Sequence, residues 1–372
     1  MMLEITLQHR FAGFSLDVAF TAPAGVTALF GRSGSGKTSV INAVAGLLRP
    51  DQGRITVGGA VLLDTGLGVN LAPHRRRVGY VFQDARLFPH LTVRQNLLYG
   101  AKFAPGAGES SDRIIDLLGI GPLLARRPGT LSGGEKQRIA IGRAILSNPR
   151  LLALDEPLAA LDEARKAEIL PYLERLRDEL ALPILYVSHA LGEVVRLANT
   201  VVLIEAGRVT ACGPTAAVLS DPAHAAGLGA GEAGALLVAQ VTAHESDGLT
   251  RLVSAAGPLF VPEVPAPVGT RLSVRILARD VMLATTRPEG LSALIILPAT
   301  VRDIRPDGAA AVLVRLEAGG EVILARVTRR SAAALDLAPG KAVFAIVKSV
   351  SVAEGSLVSQ GRAAAPGSRE NR

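Results

Sequence analysis

The pattern of hydrophobic and polar positions changes along this chain and divides it into two parts. In the first part, short runs such as residues 26–30 and 151–154 are apolar at nearly every position, which predicts strands buried on both faces of a parallel sheet. Residues 39–48 are predicted to form a helix. Beyond about residue 221, short apolar or alternating runs are separated by Gly and Pro, which predicts a small β-barrel. We therefore expect an α/β fold followed by a β-barrel.

Length and composition agree with this division. A chain of 372 residues is long enough for two or three domains. Its hydrophobic content is 49% with only 3% aromatic residues, which suits an α/β protein rich in Ala, Val and Leu. The single cysteine, Cys212, excludes an intramolecular disulfide and favours a reducing cytoplasm.

No segment of the sequence predicts direct insertion into a membrane. Residues 1–7 alternate between apolar and polar like a strand, and they lack the basic and then apolar order of a signal peptide. No apolar stretch approaches the roughly 20 residues that span a bilayer. If the protein works at a membrane, we expect it to do so through a partner.

The net charge of +7 suggests weak attraction to anionic partners, but the basic residues are scattered. The longest basic cluster is Arg75, Arg76 and Arg77, which follow His74. We interpret this cluster as a solvated face rather than a nucleic-acid patch, and we expect no nucleic-acid partner.

Residues 31–38 match the phosphate-binding pattern Gly-x-x-x-x-Gly-Lys-Thr, between the predicted strand and the predicted helix. Glycines allow successive backbone N–H groups to turn towards phosphate oxygens, while Lys37 would neutralise the terminal phosphates and the Thr38 hydroxyl would ligate magnesium. We therefore expect a nucleoside triphosphate to bind here. The predicted binding residues are Gly31, Arg32, Ser33, Gly34, Ser35, Gly36, Lys37 and Thr38.

Two acids, Asp155 and Glu156, follow the apolar run at 151–154. A strand buried on both faces can expose carboxylates only at its carboxyl end, where ligands bind in open α/β sheets. Asp155 would then hold magnesium, directly or through water, and Glu156 would polarise the attacking water as a general base. The sequence therefore predicts hydrolysis as well as binding.

A third segment, Ser132, Gly133 and Gly134, opens a helical stretch at residues 138–144. Bare N–H groups at such a helix start form an anion site. One chain cannot easily bring this segment and the phosphate loop to the same γ-phosphate. We therefore expect a head-to-tail homodimer in which this segment closes on the nucleotide of the partner.

The sequence resembles the ATP-binding-cassette (ABC) ATPases over roughly residues 1–230. Five motifs occur in the order of that family: the phosphate loop, Gln83, residues 131–137 (Leu-Ser-Gly-Gly-Glu-Lys-Gln), residues 151–157 (Leu-Leu-Ala-Leu-Asp-Glu-Pro) and Ser188-His189. The resemblance implies that the nucleotide is ATP and that it binds with Mg²⁺. It also implies that Gln83 is the Q-loop residue that senses magnesium and the attacking water, and that His189 is the switch histidine that contacts the γ-phosphate. Asp162 is similar to the D-loop aspartate at the dimer seam. The expected catalytic residues are thus Lys37, Gln83, Glu156 and His189, and the expected metal ligands are Thr38, Gln83 and Asp155.

The same family usually stacks adenine on an aromatic residue near the first strands, commonly a tyrosine. No tyrosine lies in that region here, and the candidates are Phe11 and Phe14. Spacing slightly favours Phe11, and core packing is the alternative for either ring.

Residues 84–89, Asp-Ala-Arg-Leu-Phe-Pro, follow the Q-loop glutamine and resemble the cytoplasmic ATPase of molybdate importers. Leu87, Phe88 and Leu91 form an apolar patch that would seat a helix of a membrane permease. The alternative is that they pack inside a subdomain, and both interpretations can hold together.

Three segments follow one another in the last part of the chain: residues 297–301 (Leu-Pro-Ala-Thr-Val), 319–322 (Gly-Gly-Glu-Val) and 345–350 (Ala-Ile-Val-Lys-Ser-Val). With these segments, residues 291–353 resemble the molybdopterin-binding-protein-like (Mop, or TOBE) module of the same importers. The family often has Ser-x-Arg-Asn in this module, whereas here the residues are Ser292, Ala293, Leu294 and Ile295. Two apolar side chains cannot donate hydrogen bonds to an oxyanion, so only Ser292, Lys348, Ser349 and backbone N–H groups remain as donors. We expect packing and dimerisation from this module rather than binding of a regulatory oxyanion.

The sequence therefore predicts an ABC ATPase domain at residues 1–230, a linker and β segment at 231–290, a Mop/TOBE-like barrel at 291–353, and a disordered tail at 354–372. The resemblance implies the ATPase of a molybdate importer, peripheral on the cytoplasmic face of the inner membrane. Its partners would be permease subunits and, indirectly, a periplasmic molybdate-binding protein. An importer ATPase for tungstate, sulfate or iron, a soluble ABC ATPase that acts on nucleic acid, and an oxyanion-binding regulator are the alternatives.

Overall fold

The structure, a computed structural model, describes residues 2–103, 108–180, 182–224, 233–348 and 357–359. The chain forms two compact units, Met1–Glu232 and Ala233–Arg372. Strands from the stretch 231–290, which the sequence suggested as a linker and β segment, belong to the second unit. Of the tail 354–372 the structure describes only a short strand, Leu357–Ser359, and the predicted disorder of the remainder falls outside the described residues.

The first unit is a mixed sheet with helices, and its elements have the following bounds. The strands are β1 (Leu3–Phe11), β2 (Phe14–Ala22), β3 (Val26–Phe30), β4 (Gln52–Val57), β5 (Ala60–Asp64), β6 (Val69–Asn70), β7 (Val78–Val81), β8 (Leu151–Asp155), β9 (Ile184–Ser188), β10 (Thr200–Glu205) and β11 (Arg208–Pro214). The α-helices are α1 (Lys37–Ala45), α2 (Pro73–Arg76), α3 (Val93–Tyr99), α4 (Ser111–Leu117), α5 (Gly133–Leu146), α6 (Glu163–Glu179), α7 (Leu191–Leu197) and α8 (Thr215–Leu219). Short 3₁₀ turns lie at Gly100–Phe103, Gly121–Leu123, Pro128–Thr130 and Pro222–His224.

The parallel part of this sheet determines where the site lies. The strand order is β6-β5-β4-β1-β2-β11-β10-β3-β9-β8-β7, and the neighbours from β10 to β7 pair in parallel. Every residue of β3, β8 and β9 is buried, as expected for strands covered on both faces. Because the carboxyl ends of parallel strands meet at one edge, the loops after β3, β7, β8 and β9 emerge side by side.

Helix α1 differs at both ends from the predicted helix at 39–48. It begins at Lys37, inside the phosphate loop, and ends at Ala45. Gly46 follows with φ 81°, and its N–H bonds back to the carbonyls of Asn42 and Ala43. A left-handed glycine of this kind ends a helix, so the apolar residues Leu47 and Leu48 fall beyond it.

The interpretation of the Arg75–Arg77 cluster as a solvated face is wrong for Arg76, which is only 2% exposed. Its guanidinium donates to the carbonyl oxygens of Ala43 (2.6 Å) and Val44 (3.0 Å) at the end of α1. It also donates to the Leu71 carbonyl (2.8 Å) and to Asn70 Oδ1 (2.7 Å). A cation at the carboxyl end of a helix satisfies its last carbonyls and interacts favourably with its dipole, so Arg76 stabilises the end of the phosphate-loop helix.

Replacing Arg76 by Ala should lower the free energy of unfolding by about 3 kcal/mol, because buried carbonyls would lose their donors and a cavity would remain. Urea unfolding followed by circular dichroism measures this difference. The neighbouring Arg75 is exposed, and Arg75→Ala is the matched control, with an expected change within about 0.5 kcal/mol. Equal stabilities of the two variants would contradict the role of Arg76.

The second unit is built mainly from antiparallel strands. They are β12 (Gly234–His244), β13 (Leu249–Ser254), β14 (Gly257–Pro262), β15 (Arg271–Leu277), β16 (Val281–Ala284), β17 (Ile295–Asp307), β18 (Ala311–Ala318), β19 (Glu321–Thr328), β20 (Ala342–Val347) and β21 (Leu357–Ser359). A 3₁₀ turn lies at Ala278–Asp280, and a short helix, α9, spans Arg329–Ala334.

Within the described residues these strands form a sheet of order β14-β13-β12-β15-β21 and a second sheet of order β16-β20-β17-β18-β19. Both sheets contribute to one hydrophobic core, so the small barrel predicted from the alternating runs is confirmed. Glu321 links them, because its carboxylate accepts the backbone N–H groups of Val238 (3.1 Å) and Ala256 (3.0 Å). No helix in the described part of the chain is both long and apolar enough to cross a membrane.

Candidate active site

The phosphate loop links β3 to α1 and requires glycine at two positions. Gly31 has φ 154°, and a Cβ there would lie 2.2 Å from the Ile204 carbonyl oxygen. Gly36 has φ 105°, and a Cβ there would lie 2.8 Å from Leu16 Cδ1. Ser35 Oγ is buried in this loop and has no hydrogen-bond partner among the described residues. An unsatisfied buried hydroxyl beside turned glycines is the arrangement that a phosphate would complete.

Lys37 is the first residue of α1 and is only 4% exposed. Its ammonium donates to the carbonyl oxygens of Gly31 (2.8 Å) and Arg32 (2.9 Å), so it lies across the phosphate loop. Burial lowers the pKa of Lys37, and the carboxylates of Glu156 and Asp155 act against that shift. In the described residues the hydrogen bonds of the Lys37 ammonium thus go to neutral carbonyl oxygens.

Asp155 ends β8 and is 8% exposed. Its Oδ1 accepts a hydrogen bond from Thr38 Oγ1 (3.2 Å), so two of the three predicted metal ligands are neighbours. Its Oδ2 lies 2.9 Å from the hydroxyl of Tyr80, which is also 2.9 Å from Asn42 Oδ1. Burial raises the pKa of Asp155, and burial beside Asp155 raises that of Tyr80.

Tyr80 and Asn42 were not among the predicted site residues. One signal could have pointed to Tyr80, because the hydroxyl of a tyrosine that packs inside a protein usually has a hydrogen-bond partner. Tyr80 lies in β7, the strand that pairs with β8, and Asp155 ends β8.

Glu156 follows β8 with φ 47°, a left-handed conformation that is uncommon for a residue with a side chain. Its N–H donates to the Val187 carbonyl (3.0 Å), and its Oε2 lies 3.2 Å from His189 Nδ1. The Glu156 side chain is 19% exposed, whereas that of His189 is 50% exposed. The predicted base and the predicted switch histidine therefore meet at the edge of the sheet.

A cavity of about 420 Å³ lies above the phosphate loop and is lined by Lys37, Thr38, Glu156, Phe11 and Phe14, together with small loop residues. The centroids of the two phenylalanine rings are 5.9 Å apart. Phe14 Cζ would lie 3.0 Å from a Cβ on Gly36, so Phe14 packs against the loop backbone. A larger cavity of about 890 Å³ lies elsewhere in the first unit, but no residue predicted for the site lines it. The residues that line the smaller cavity therefore favour it as the nucleotide site.

The side-chain oxygen atoms near this cavity are suitable ligands for magnesium. Mg²⁺ prefers oxygen ligands and takes one or two carboxylates together with phosphate oxygens and water. Thr38 and Asp155 supply a hydroxyl and a carboxylate side by side. The described residues contain no cluster of three or more His, Cys, Asp or Glu side chains that could hold a metal ion by itself. Such an ion would therefore need the nucleotide's own oxygens.

The remaining predicted residues lie outside the lining of this cavity. Gln83 is exposed, in the loop that follows β7. Ser132 caps α5, with its Oγ accepting the Glu135 N–H (3.2 Å) while Glu135 Oε2 accepts the Ser132 N–H (2.7 Å). Asp162 caps α6 by accepting the Arg165 N–H (2.9 Å).

The helix start at Ser132–Gly134 lies beside the loop that precedes α6. A Cβ on Gly133 would lie 3.0 Å from Leu161 Cδ2, and one on Gly134 would lie 3.2 Å from Ile169 Cδ1. In the described part of the chain, no hydrogen bond joins this segment to the phosphate loop. Within the described residues of one chain, hydrogen bonds therefore do not join the two predicted anion sites.

Two side chains hold the segment that follows the Q-loop. The fully buried Asn96 accepts the Phe88 N–H (2.8 Å) and donates to the carbonyls of Phe88 (3.1 Å), Leu91 (3.3 Å) and Thr92 (3.1 Å). Arg143 of α5 donates to the carbonyls of Arg86 (2.9 Å) and Ala85 (3.1 Å). The segment is therefore attached to both α3 and α5.

The predicted apolar patch in this segment is partly buried at all its positions, Leu87, Phe88 and Leu91. Leu87 packs against the hydrophobic core of the first unit. The Phe88 ring lies 4.5 Å from the Tyr99 ring, which lies 6.0 Å from that of Phe103. Tyr99 and Phe103 are 43% and 77% exposed, so an aromatic row extends the patch along the surface.

In the second unit, the residues considered for oxyanion binding lie at one end of a sheet. Ile295 pairs with Val347; Lys348 directly follows that pair, Ser292 precedes Ile295 by three residues, and both are exposed. Ile295 is fully buried in the core, whereas Leu294 is 51% exposed. Ser349 lies outside the described residues. Neither Leu294 nor Ile295 offers a side-chain donor.

Two regions of the chain match known families. Residues 16–159 match the ABC transporter family, and residues 291–353 match the TOBE domain. The phosphate loop, Asp155 and Glu156 lie inside the first region, and β17 to β20 lie inside the second.

Relatives that match this chain along almost their whole length belong to the same kind of protein. The molybdenum import ATP-binding protein ModC of Rhizobium etli is 56% identical over 355 residues, which cover 95% of this chain and 99% of that protein. ModC of Rhizobium meliloti is also 56% identical over 355 residues, with the same coverage of 95% and 99%. A solved ATP-binding cassette of an ABC transporter is 25% identical with a TM-score of 0.51, and the match covers 60% of this chain and 96% of that one. These similarities confirm the resemblance drawn from the motifs.

Proposed function

The chain belongs to the family of molybdenum import ATP-binding proteins. We propose that it is the ATP-hydrolysing subunit of a molybdate importer and that it lies, as a peripheral protein, on the cytoplasmic face of the inner membrane. The observation that carries the proposal is the meeting of Lys37, Thr38, Asp155 and Glu156 at one edge of the sheet. Lys37, Thr38 and Glu156 line a cavity, and Asp155 adjoins it through Thr38, in a chain that resembles such proteins over 95% of its length.

The chemistry assigned to the cavity follows from its charges. Lys37 would exchange its loop carbonyls for the terminal phosphates of ATP, which are better partners for a buried ammonium. Glu156 would accept the proton of the attacking water, and His189, 3.2 Å from it, would hold that carboxylate and contact the γ-phosphate. Phe11 is the better candidate for stacking on adenine, because Phe14 packs against Gly36.

Thr38 and Asp155 would hold Mg²⁺, and Gln83 would approach it from the exposed loop after β7. When bound, Mg²⁺ neutralises the charge that develops on the phosphate oxygens. The main contribution of the protein is to present a hydroxyl and a carboxylate at a fixed spacing.

A head-to-tail homodimer is the arrangement that would complete the site. The N–H groups of Gly133 and Gly134, at the start of α5, have no acceptor within their own helix, and in the described residues no hydrogen bond joins them to the phosphate loop of the same chain. A second copy would bring Ser132, Gly133 and Gly134 to the γ-phosphate. Asp162, beside Leu161 on the loop that this segment contacts, would then lie at the seam between subunits.

The permease surface would be the patch of Leu87, Phe88 and Leu91, extended by the exposed rings of Tyr99 and Phe103. Exposed aromatic side chains in a contiguous row are typical of protein interfaces. Asn96 and Arg143 hold the adjoining backbone, so a change around Gln83 would reach this surface through a short, hydrogen-bonded segment.

The second unit would serve packing and pairing between subunits rather than oxyanion regulation, because Leu294 and Ile295 cannot donate to an anion. The transported ion would reach the permease from a periplasmic molybdate-binding protein, and it would not contact this chain. Substrate identity therefore has to be tested in the assembled transporter.

The test is ATP hydrolysis by the transporter reconstituted in liposomes with its permease and its binding protein. Binding protein loaded with molybdate should stimulate hydrolysis above the rate with empty binding protein. Parallel arms with tungstate and sulfate separate the candidate ions, and a transporter built with Glu156→Gln is the control without turnover. Stimulation by the sulfate-loaded protein alone would overturn the assignment to molybdate.

A further inference from the structure

Tyr80 touches the proposed metal site without belonging to any of its motifs. It lies in β7, the strand that pairs with β8, and its hydroxyl is 2.9 Å from Asp155 Oδ2. The same hydroxyl is 2.9 Å from Asn42 Oδ1 on α1. Three elements that build the site, α1, β7 and β8, therefore meet at one phenolic oxygen.

The proton count decides how these groups are arranged. A tyrosine hydroxyl has one proton to donate, and an ionised carboxylate can only accept. The hydroxyl therefore donates to Asp155, and it cannot also donate to a carbonyl oxygen of Asn42. Because the two ends of an amide are exchanged by a simple flip, the consistent arrangement has the Asn42 NH₂ group donating to Tyr80.

This arrangement assigns separate tasks to the two oxygens of Asp155. Oδ2 accepts from Tyr80, while Oδ1 accepts from Thr38 at 3.2 Å. A carboxylate held at both oxygens cannot rotate freely, and partners behind a metal ligand orient it in this way. The hydroxyl of Tyr80 thereby leaves Oδ1 on the side of the phosphate loop.

We propose that Tyr80 is a positioning residue for Asp155, whose hydroxyl holds the carboxylate so that Oδ1 and the Thr38 hydroxyl face the magnesium position. This inference rests on the proposed function, in which Asp155 and Thr38 are the metal ligands. Tyr80 itself does not contact the metal or the nucleotide.

The ring of Tyr80 also packs, with its centroid 4.4 Å from that of Phe82, and it lies against the core of the first unit. Tyr80→Phe keeps these contacts and removes only the hydroxyl. Tyr186→Phe is the matched control, because Tyr186 is a buried tyrosine of β9 whose hydroxyl donates to Glu193 (2.8 Å) and not to Asp155. Each variant therefore loses one phenolic oxygen, and both oxygens belong to strands of the same sheet.

The experiment titrates Mn²⁺, as a spectroscopic substitute for Mg²⁺, into the full chain saturated with ADP and measures free Mn²⁺ by electron paramagnetic resonance. Tyr80→Phe should weaken Mn²⁺ affinity about tenfold, the low end of the range for removing a partner of a metal ligand. ADP affinity measured in EDTA should stay unchanged, because the hydroxyl acts on the metal ligand alone. Tyr186→Phe should bind Mn²⁺ like the unaltered protein.

Unchanged Mn²⁺ affinity in Tyr80→Phe would overturn the proposal, as would equal weakening in both tyrosine variants, since the effect would then come from general loss of packing. Asp155→Asn separates this failure from failure of the proposed function. If Asp155→Asn loses Mn²⁺ affinity and Tyr80→Phe does not, only the role of Tyr80 falls. If Asp155→Asn binds Mn²⁺ normally, Asp155 is not a ligand and both roles fall.

Discussion

Glu156→Gln is expected to bind ATP about as well as the unaltered protein and to hydrolyse it at least about 100-fold more slowly, because an amide cannot accept a proton from water. The substitution keeps the size of the side chain, and its oxygen can remain near His189 Nδ1, now 3.2 Å from Glu156 Oε2. ATP that is bound and not hydrolysed should accumulate in the closed dimer. Steady-state phosphate release and size-exclusion chromatography with ATP measure the two effects.

Glu168→Gln is the matched control for Glu156→Gln. Glu168 is an exposed acid of α6, so its replacement makes the same change of charge away from the cavity. This variant should hydrolyse ATP at the normal rate and show no dimer trapping. Near-normal hydrolysis by Glu156→Gln would show that another group is the base.

Lys37→Met is expected to weaken ATP binding about 100-fold, because a hydrogen bond to a charged group contributes about 1.5–3 kcal/mol and Lys37 would make more than one such contact with phosphate. Methionine retains an unbranched side chain in this buried position but removes the ammonium that now donates to Gly31 and Arg32. Titration with a fluorescent ATP analogue measures the affinity. The rise in unfolding temperature that ATP produces should be lost in parallel.

Lys102→Met removes a lysine that is exposed and does not line the cavity, so it should bind ATP normally. Urea unfolding of Lys37→Met without nucleotide tests whether the variant remains folded. A folded Lys37→Met protein with normal ATP affinity would contradict the placement of the terminal phosphates beside Lys37.

Much of the site could be predicted from sequence because its parts are local. The turns of a phosphate loop require glycine at Gly31 and Gly36, and an apolar run followed by Asp155 and Glu156 marks the carboxyl end of a buried strand. The small barrel was also visible, because alternating runs with Gly and Pro between them describe short antiparallel strands. Each of these signals consists of residues that are close neighbours along the chain.

Contacts between distant segments were not predictable in this way. Arg75, Arg76 and Arg77 have the same chemistry in sequence, and only the approach of the α1 carboxyl end selects Arg76 for burial. In the sequence, nothing distinguishes Asn96 from other polar residues of a helix. Its hydrogen bonds to the Phe88–Thr92 backbone appear only in the structure. The partners of a buried polar group depend on which elements pack around it, and no local pattern encodes that choice.

The amino-acid sequence was enough to predict that a nucleoside triphosphate binds and is hydrolysed, because Gly31–Thr38, Asp155 and Glu156 have the residue types and spacing that this chemistry needs. The resemblance of the ordered motifs to a known family then indicated ATP and the ABC ATPases. How those groups are held became visible in the folded chain. It placed Thr38 and Tyr80 on opposite oxygens of Asp155, and it set His189 against Glu156. These contacts depend on the assembled sheet, because parallel strands far apart in sequence end at one edge and hydrogen bonds between their side chains form only there.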